Sequence, residues 1–273
     1  MAEAEARCGF SRCRCGQNLC PGRTGATIAD GVATLTLNRP DRGNAYDQPL
    51  LEALTAAFAQ LGADAAVRVI VLRGAGKHFC AGADIGGHDS SSSAAGRATL
   101  PGLCYDIDTT PKPVVAVVHG ACIGGGFAFA ACCDVVMAAR DATFSLPEVR
   151  LGFAPGPLVP FLLRAVTPRS LRRYLLSGER FGADEALRIG LVHAVCEPDE
   201  LFDASGRMIE ELLRAGPNAA ASAKRTLRRL GNAATPELIA ELQAEFQVGF
   251  NSAEAQEGRA SFREKRKPGW APK

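Results

Sequence analysis

The sequence predicts an α/β fold followed by a mainly helical region. Short apolar runs with the length of buried strands alternate with helix-like or loop-like segments as far as Ala139. From Pro157 onward, helical patterns separated by Gly or Pro continue almost to the C-terminus. With 273 residues, 47% of them hydrophobic, the chain is long enough to bury a large core.

The first predicted elements follow an N-terminal extension over residues 1–24. Residues 26–40, ATIADGVATLTLNRP, alternate apolar and polar positions and predict two short strands about a turn, ending at Pro40. Residues 50–61, LLEALTAAFAQL, have apolar positions at helical spacing and predict a helix.

Three buried strands are predicted next, over residues 68–74, 112–120 and 133–139. Between the first two lies a Gly/Ser-rich stretch, residues 86–102, which is either a surface loop or a mobile wall of a pocket. We divide the chain into the extension 1–24, an α/β core 25–205 and a helical C-terminal region 206–273.

Charge, apolar runs and cysteines exclude several classes of function. A net charge of +2, from 31 basic and 29 acidic residues, predicts no nucleic-acid partner. No apolar run reaches the ~20 residues that a membrane span needs, and the N-terminus has no secretory pattern, so we expect a cytoplasmic protein without a membrane partner. Early in the chain, the cysteine spacing lacks the paired C-x2-C of structural zinc, and we predict no metal site (Cys8, Cys13, Cys15, Cys20).

Three consecutive glycines, Gly124 to Gly126, stand between a predicted strand and a predicted helix from Phe127. Amides around Gly125 should lie at the helix N-terminus, where free N–H groups and the helix dipole favour an oxygen that gains negative charge. A tight turn is the alternative for these glycines. A second small-residue turn, residues 81–84, follows another strand and could offer a second amide, so that the two would form an oxyanion hole.

Glu148 is the candidate proton-transfer residue. It follows Pro147 in FSLPEVRLGFAPG, among apolar neighbours, where burial raises a carboxyl pKa and suits it to general acid–base catalysis. Alone, the same position is equally typical of a carboxylate at the start of a helix.

Taken together, these segments resemble the enoyl-CoA hydratase/isomerase (crotonase) family over about residues 25 to 268. The motifs that carry the resemblance occur in the family's order and spacing: LNRPDRGNAYDQPLLEAL, FCAGADI, GACIGGGFAFAACCDVVMAARDATFSLPEVRLGFAPG, SGERFGADEALRIGLVHAV and SFREKRKPGW. The resemblance implies a spiral of ββα units, a helical C-terminal trimerisation region, an acyl-CoA thioester ligand, and a homotrimer or dimer of trimers. It implies no cofactor beyond the coenzyme A of the substrate.

The resemblance also implies residue roles. The thioester oxygen would be held by the backbone amides of Ala83 and Gly125, with Gly124 beside it, and Glu148 would be the acid/base. Coenzyme A would be contacted at Cys80 and Ala81 (adenine), at Arg42 (phosphates) and, on a neighbouring subunit, at Phe262 and Lys265.

One position departs from the family. Hydratases of this family typically place a second glutamate just after the glycines, and here that position is Ala128, which lines the pocket but cannot move a proton. Hydration with Glu148 as acid/base ranks first, as in a subgroup of bacterial hydratases without the first glutamate. Δ3,Δ2-Enoyl-CoA isomerisation by Glu148 alone is close behind, followed by decarboxylation and by non-catalytic binding of acyl-CoA or a protein partner.

Overall fold

The centre of the fold is a six-stranded sheet that carries helices on both faces. The structure is a computed structural model in which residues 23–84, 98–231 and 235–270 are described. The four early cysteines and residues 86–97 of the Gly/Ser-rich stretch lie outside the described residues, so the predictions made for them stay predictions.

The described strands and helices follow the predicted alternation. The strands are β1 Thr24–Ala29, β2 Val32–Leu37, β3 Val69–Gly74, β4 Val114–Val118, β5 Ala121–Ile123, β6 Val135–Ala139, β7 Thr143–Ser145, β8 Phe181–Gly182 and β9 Ala194–Cys196. The helices are α1 Gln48–Ala63, α2 Leu100–Thr109, α3 Gly125–Cys132, α4 Val159–Ala165, α5 Pro168–Ser177, α6 Ala183–Arg188, α7 Leu201–Arg214, α8 Pro217–Leu230, α9 Pro236–Phe250 and α10 Ala253–Arg263. Three short 3-10 helices occur at Pro40–Arg42, Pro147–Leu151 and Gly156–Leu158.

The large sheet has the order β1-β2-β3-β4-β6-β9, with β1 antiparallel to β2 and the other pairs parallel. Asp30 and Gly31, both with positive φ (50° and 81°), form the two-residue turn of the β1–β2 hairpin. Such a turn matches the right-handed twist of the strands it joins. The hairpin confirms the two strands predicted around these residues.

Strands β3, β4 and β6 are apolar at nearly every position because both faces of the sheet are covered. On one face Ile70 and Leu72 contribute to the main core with α1 to α4, whereas Val69 and Val71 pack on the other face against α7. The alternation of side chains along a strand therefore divides the core into two clusters.

A second, three-stranded sheet has the order β5-β7-β8 and brings the site together. Strand β5 leads directly into α3, and β7 leads into the 3-10 helix Pro147–Leu151. Because β5 and β7 are parallel neighbours, the segments that follow them start at the same edge of this sheet.

The structure differs from the predicted elements in four places. Helix α3 begins at Gly125, two residues before the predicted start, and α2 already begins at Leu100, where a loop was predicted through Gly102. Strands β8 and β9 interrupt the region predicted as helical, because two or three residues are too few to show a period of two. The predicted boundary at residue 205 falls inside α7, which packs on the sheet as part of the core.

Among the described residues, none of the helices combines the length and the apolar character that spanning a membrane requires.

Candidate active site

The three glycines at the start of α3 each face a different segment of the chain. A Cβ atom placed on Gly124 would lie 2.9 Å from Oε1 of Glu148, and one on Gly125 would lie 2.9 Å from Cζ of Tyr46. On Gly126 it would lie 2.6 Å from the carbonyl oxygen of Cys80. Glycine is therefore required here because three segments pack directly on the backbone.

Gly124 carries a second constraint. Its φ of 55° and ψ of −118° describe a conformation that side chains with a Cβ rarely adopt. Its N–H donates to the carbonyl of Ser145 (2.9 Å), which ties the entry of α3 to the end of β7. The turn thus fixes α3 relative to the segment that carries Glu148.

The turn that contains Ala83 runs alongside β5. Cys80 donates its N–H to Ala121 (2.9 Å) and accepts from the N–H of Ile123 (2.9 Å), so the segment pairs with β5 like a short additional strand. Gly82, with φ of 100°, turns the chain at the point where its Cα lies 4.0 Å from a Cβ placed on Gly124. Ala83 and the glycine run consequently lie beside one another.

Both predicted oxyanion-hole amides lack a hydrogen-bond acceptor within the described residues. Gly125 is the first residue of α3, where the N–H has no carbonyl of its own helix to reach. Ala83 is exposed, and its neighbours Gly82 and Asp84 bond to Tyr46 while its own N–H does not. The two N–H groups are therefore free to bind an acceptor oxygen.

Glu148 lies in the first turn of the 3-10 helix Pro147–Leu151, next to Gly124. Oxygen Oε2 is buried and has no hydrogen-bond partner in the part of the chain that the structure describes. Burial raises the pKa of the Glu148 carboxyl from 4.5 to about 7, while a hydrogen bond from its own backbone N–H lowers that pKa by less. A carboxyl with this pKa can both accept and donate a proton near neutral pH.

The C-terminal helices hold the segment that carries Glu148. A Cβ placed on Gly258 of α10 would lie 2.8 Å from Cα of Leu151, so α10 packs with its backbone against the 3-10 helix. The N–H of Phe153 donates to the backbone carbonyl of Glu148 (3.3 Å). The ring of Phe153 packs edge-on against Phe246 and Phe250 of α9, with ring centroids 5.6 Å and 5.2 Å apart. The position of Glu148 thus depends on helices far along the sequence.

Ala128 lies one turn into α3 and is fully buried. Residues three and four apart share a face of a helix, so Ala128 and Phe129 lie on the same side of α3 as Gly125. The methyl group of Ala128 offers no polar atom on this face, and its burial gives it no exposed surface for a substrate.

The predicted coenzyme A contacts lie in different environments. Cys80 is fully buried, with its N–H and carbonyl both paired, and its predicted contact with the adenine stays a prediction. Ala81 is exposed and donates its N–H to Gly43 (2.9 Å), which brings exposed Arg42 next to it.

Phe262 and Lys265 lie at the end of α10 and just beyond it. Phe262 is 58% exposed, and Lys265 is also exposed, with a positive φ of 54°. Both side chains are therefore accessible, and their contact with a neighbouring subunit's coenzyme A stays a prediction.

Sequence reasoning missed Tyr46. Its N–H donates to the carbonyl of Gly82 (2.8 Å) and its carbonyl accepts from the N–H of Asp84 (2.9 Å). The backbone of Tyr46 is therefore paired with the residues before and after Ala83. Its ring lies on Gly125 and meets Phe129 edge-on, with ring centroids 5.8 Å apart. The available signal was an aromatic residue within the motif NAYDQP, just before an N-capped helix.

Buried charges fix the backbone around Tyr46. Arg39 pairs with Asp84 (2.7 Å) and with Asp47 (3.4 Å), and each of these side chains is less than 15% exposed. Asn44 donates through Nδ2 to the carbonyls of Ala75 (2.8 Å) and His78 (2.6 Å). Asp84 therefore has a structural role in holding this turn.

The site as described consists of two free amides, one buried carboxylate and an aromatic ring. No group of three or more His, Cys, Asp or Glu side chains within the described ranges is arranged to hold a metal ion.

The sequence model of the family described as enoyl-CoA hydratase/isomerase matches residues 27–273. The chain belongs to this family. A probable enoyl-CoA hydratase of Bacillus subtilis (strain 168) is 35% identical over 246 residues, which cover 87% of this chain and 94% of that protein. The family assignment confirms the resemblance seen in the motifs.

Solved structures of the family have the same fold. An enoyl-CoA hydratase/isomerase from Pseudoalteromonas atlantica T6c has a TM-score of 0.83 and 30% identity, covering 92% of this chain and 100% of that one. A methylmalonyl CoA decarboxylase has a TM-score of 0.80 and 28% identity, covering 92% and 99%. The crotonase-like α/β fold predicted from the sequence is thereby confirmed.

Proposed function

We propose that the protein is an enoyl-CoA hydratase that uses Glu148 as its acid/base. The observation that carries the proposal is the position of the Glu148 carboxyl, beside Gly124 at the entry of α3, with a pKa of about 7. The enolate oxygen would accept hydrogen bonds from the amides of Ala83 and Gly125. The carboxyl of Glu148, which can give and take a proton, would lie near the reacting carbons.

The proposed reaction needs one carboxylate. Glu148 takes a proton from water as the water oxygen bonds to Cβ of the enoyl thioester, and the electron pair of the double bond moves toward the thioester oxygen. The amides of Ala83 and Gly125 stabilise the resulting enolate, each by about 3 kcal/mol. Protonated Glu148 then gives its proton to Cα, so that a 3-hydroxyacyl thioester forms and the carboxylate is restored.

The relatives support the substrate class. The Bacillus subtilis relative is named an enoyl-CoA hydratase, and a 33% identical relative from Escherichia coli (strain K12) is named 2,3-dehydroadipyl-CoA hydratase. We infer from these names that the ligand is an acyl-CoA thioester, with Ala81 and Arg42 near its coenzyme A part. Phe262 and Lys265 would contact the coenzyme A of a neighbouring subunit in a homotrimer or dimer of trimers, and the reaction uses no further cofactor.

Δ3,Δ2-Enoyl-CoA isomerisation is the second candidate, favoured by Ala128. Ala128 is fully buried and carries no carboxylate on the face of α3 that it shares with Gly125. Isomerisation needs only one, because Glu148 can remove a proton from Cα and return it to Cγ without activating water.

Proton NMR in D2O separates the candidates. The purified protein is incubated with crotonyl-CoA and, separately, with 3-hexenoyl-CoA, alongside the Glu148→Gln variant. We expect crotonyl-CoA to give a 3-hydroxyacyl product and the variant to lose activity by at least about 1,000-fold while still binding the ester.

Two outcomes would contradict hydration. Migration of the double bond of 3-hexenoyl-CoA without any hydration of crotonyl-CoA would identify an isomerase. Turnover of neither ester, with both still bound, would favour decarboxylation of a carboxylated acyl-CoA or a binding role.

A further inference from the structure

Tyr46 contacts both segments that carry the proposed oxyanion-hole amides, one with its backbone and the other with its ring. Its backbone brackets Ala83 through the bonds to Gly82 (2.8 Å) and Asp84 (2.9 Å). Its Cζ atom, which bears the hydroxyl, lies 2.9 Å from a Cβ placed on Gly125. The hydroxyl therefore lies next to the start of α3, where the proposed amide of Gly125 is located.

The Tyr46 hydroxyl has no hydrogen-bond partner in residues 23–84, 98–231 and 235–270, although many other polar groups around it are paired. Tyr46 is half-buried as a whole. Its ring is held by packing on Gly125 and Phe129, so the hydroxyl has a fixed position while its hydrogen-bonding capacity is not used by the described residues.

The charge of Glu148 influences the ionisation of the Tyr46 hydroxyl. The pKa of the Tyr46 hydroxyl is raised, first by burial and second by the negative charge of Glu148. At physiological pH the hydroxyl therefore keeps its proton and stays neutral. A neutral hydroxyl can accept a hydrogen bond without competing with Glu148 for the proton.

The face of α3 that Tyr46 covers is the face with the missing carboxylate. The ring contacts Gly125 and Phe129, which are four residues apart, and Ala128 lies on the same side of the helix. The ring of Tyr46 therefore covers the face of α3 on which position 128 carries no polar group.

We propose that the hydroxyl of Tyr46 binds the water molecule that adds to Cβ, opposite Glu148. The water donates one hydrogen to Glu148 and the other to Oη of Tyr46, so that a lone pair of its oxygen faces the substrate. This proposal rests on the proposed hydratase function. Tyr46 forms no covalent bond and transfers no proton; it orients the water.

The test compares Tyr46→Phe with wild type and with the control Tyr105→Phe, all as full chains. The Tyr46 variant keeps the ring that packs on Gly125 and Phe129 and loses only the hydroxyl. Tyr105 lies in α2, where its ring packs under Arg228 at 4.9 Å. Three quantities are measured: kcat for hydration of crotonyl-CoA, Kd for butyryl-CoA, and the rate of α-proton exchange of butyryl-CoA in D2O.

We expect Tyr46→Phe to lower kcat for hydration by about 10- to 100-fold, as for the loss of one hydrogen bond to a reacting group. Binding of butyryl-CoA and its α-proton exchange should stay within about threefold of wild type, because exchange needs Glu148 and the amides but no added water. Tyr105→Phe should leave all three quantities unchanged.

Two results would overturn the role of Tyr46. One is an unchanged hydration rate in Tyr46→Phe; the other is a loss of proton exchange in the same proportion as hydration, which would indicate that the hydroxyl only supports the structure. If wild type itself exchanges the α-proton but hydrates no enoyl-CoA, the proposed function fails, and the role of Tyr46 with it.

Discussion

At the residue scale, the carboxyl of Glu148 shows how burial prepares a side chain for chemistry at the expense of stability. Oxygen Oε2 is buried without a partner among the described residues, and its desolvation raises the pKa to about 7. A buried carboxylate that lacks a hydrogen-bond partner destabilises a fold, so its retention is typical of a functional group.

The raised pKa makes stability depend on pH. Between pH 4.5 and about 7 the native state holds a proton on Glu148 that the unfolded chain has already released, so the free energy of unfolding falls as pH rises through this range. Above about pH 7 the loss is complete and amounts to about 3 kcal/mol. We expect Glu148→Gln to match wild type near pH 4.5 and to be more stable by up to about 3 kcal/mol at pH 8.

Urea unfolding of both proteins at pH 4.5, 6 and 8 measures this difference. Glu210→Gln, on the exposed side of α7, is the matched control and should follow wild type at every pH. A constant difference between Glu148→Gln and wild type across the three pH values would contradict the proposed linkage.

At the element scale, the site depends on how a turn is held against a helix start. The Ala83 turn is fixed by pairing with β5 and by the buried ion pair between Arg39 and Asp84 (2.7 Å). Removing the charge of Asp84 leaves the buried Arg39 with only its longer pair to Asp47 (3.4 Å), whereas an exposed ion pair contributes little to stability.

We therefore expect Asp84→Asn to lower the free energy of unfolding by about 1–3 kcal/mol. It should also lower kcat for hydration by about tenfold, because the amide of Ala83 loses its fixed position. The control Asp184→Asn breaks an ion pair with Arg140 in which Asp184 is 77% exposed, and should change stability by less than about 1 kcal/mol. Urea unfolding and steady-state kinetics check both variants; equal effects of the two substitutions would show that the Arg39–Asp84 pair has no special role.

Elements with a clear period were predictable, and their exact ends were less so. The apolar runs around Val69, Val114 and Val135 identified the parallel strands, because burial on both faces leaves no polar positions to blur the pattern. The early start of α3 was not visible, since glycine has a low helix propensity and only contacts with Tyr46 and Cys80 keep Gly125 and Gly126 helical.

At the scale of the whole molecule, residues far apart in sequence complete the site. The family motifs identified Glu148, Ala83 and Gly125 one by one, and the structure brings their segments together. The contribution of Tyr46 could not be predicted, because it arises from a ring that crosses onto a helix nearly eighty positions later in the chain. Likewise, the burial of Cys80 follows from pairing with β5, a strand too short to leave a pattern.

The docking of α10 on the Glu148 segment gives a prediction at this scale. A Cβ on Gly258 would meet the backbone of Leu151 (2.8 Å from its Cα), which cannot move aside as a flexible side chain can. We expect Gly258→Ala to lower the free energy of unfolding by about 1–3 kcal/mol and to reduce kcat by displacing Glu148.

Gly249→Ala is the matched control in α9. A Cβ at Gly249 would have no atom within 4 Å, so alanine should stabilise the helix by up to about 1 kcal/mol and leave kcat unchanged. Thermal unfolding and hydration kinetics of the two variants check the prediction, and it fails if Gly258→Ala retains full activity and stability.

The contact between α10 and the 3-10 helix Pro147–Leu151 also sets the order in which the protein can become active during synthesis. Strands β1 to β9 and helices α1 to α8 emerge from the ribosome before α9 and α10, and domains fold as their chains emerge. A nascent chain that has already formed its sheets therefore still lacks the support that positions Glu148. The support of the Glu148 segment is complete only once Gly258 has been translated and α10 has packed against Leu151.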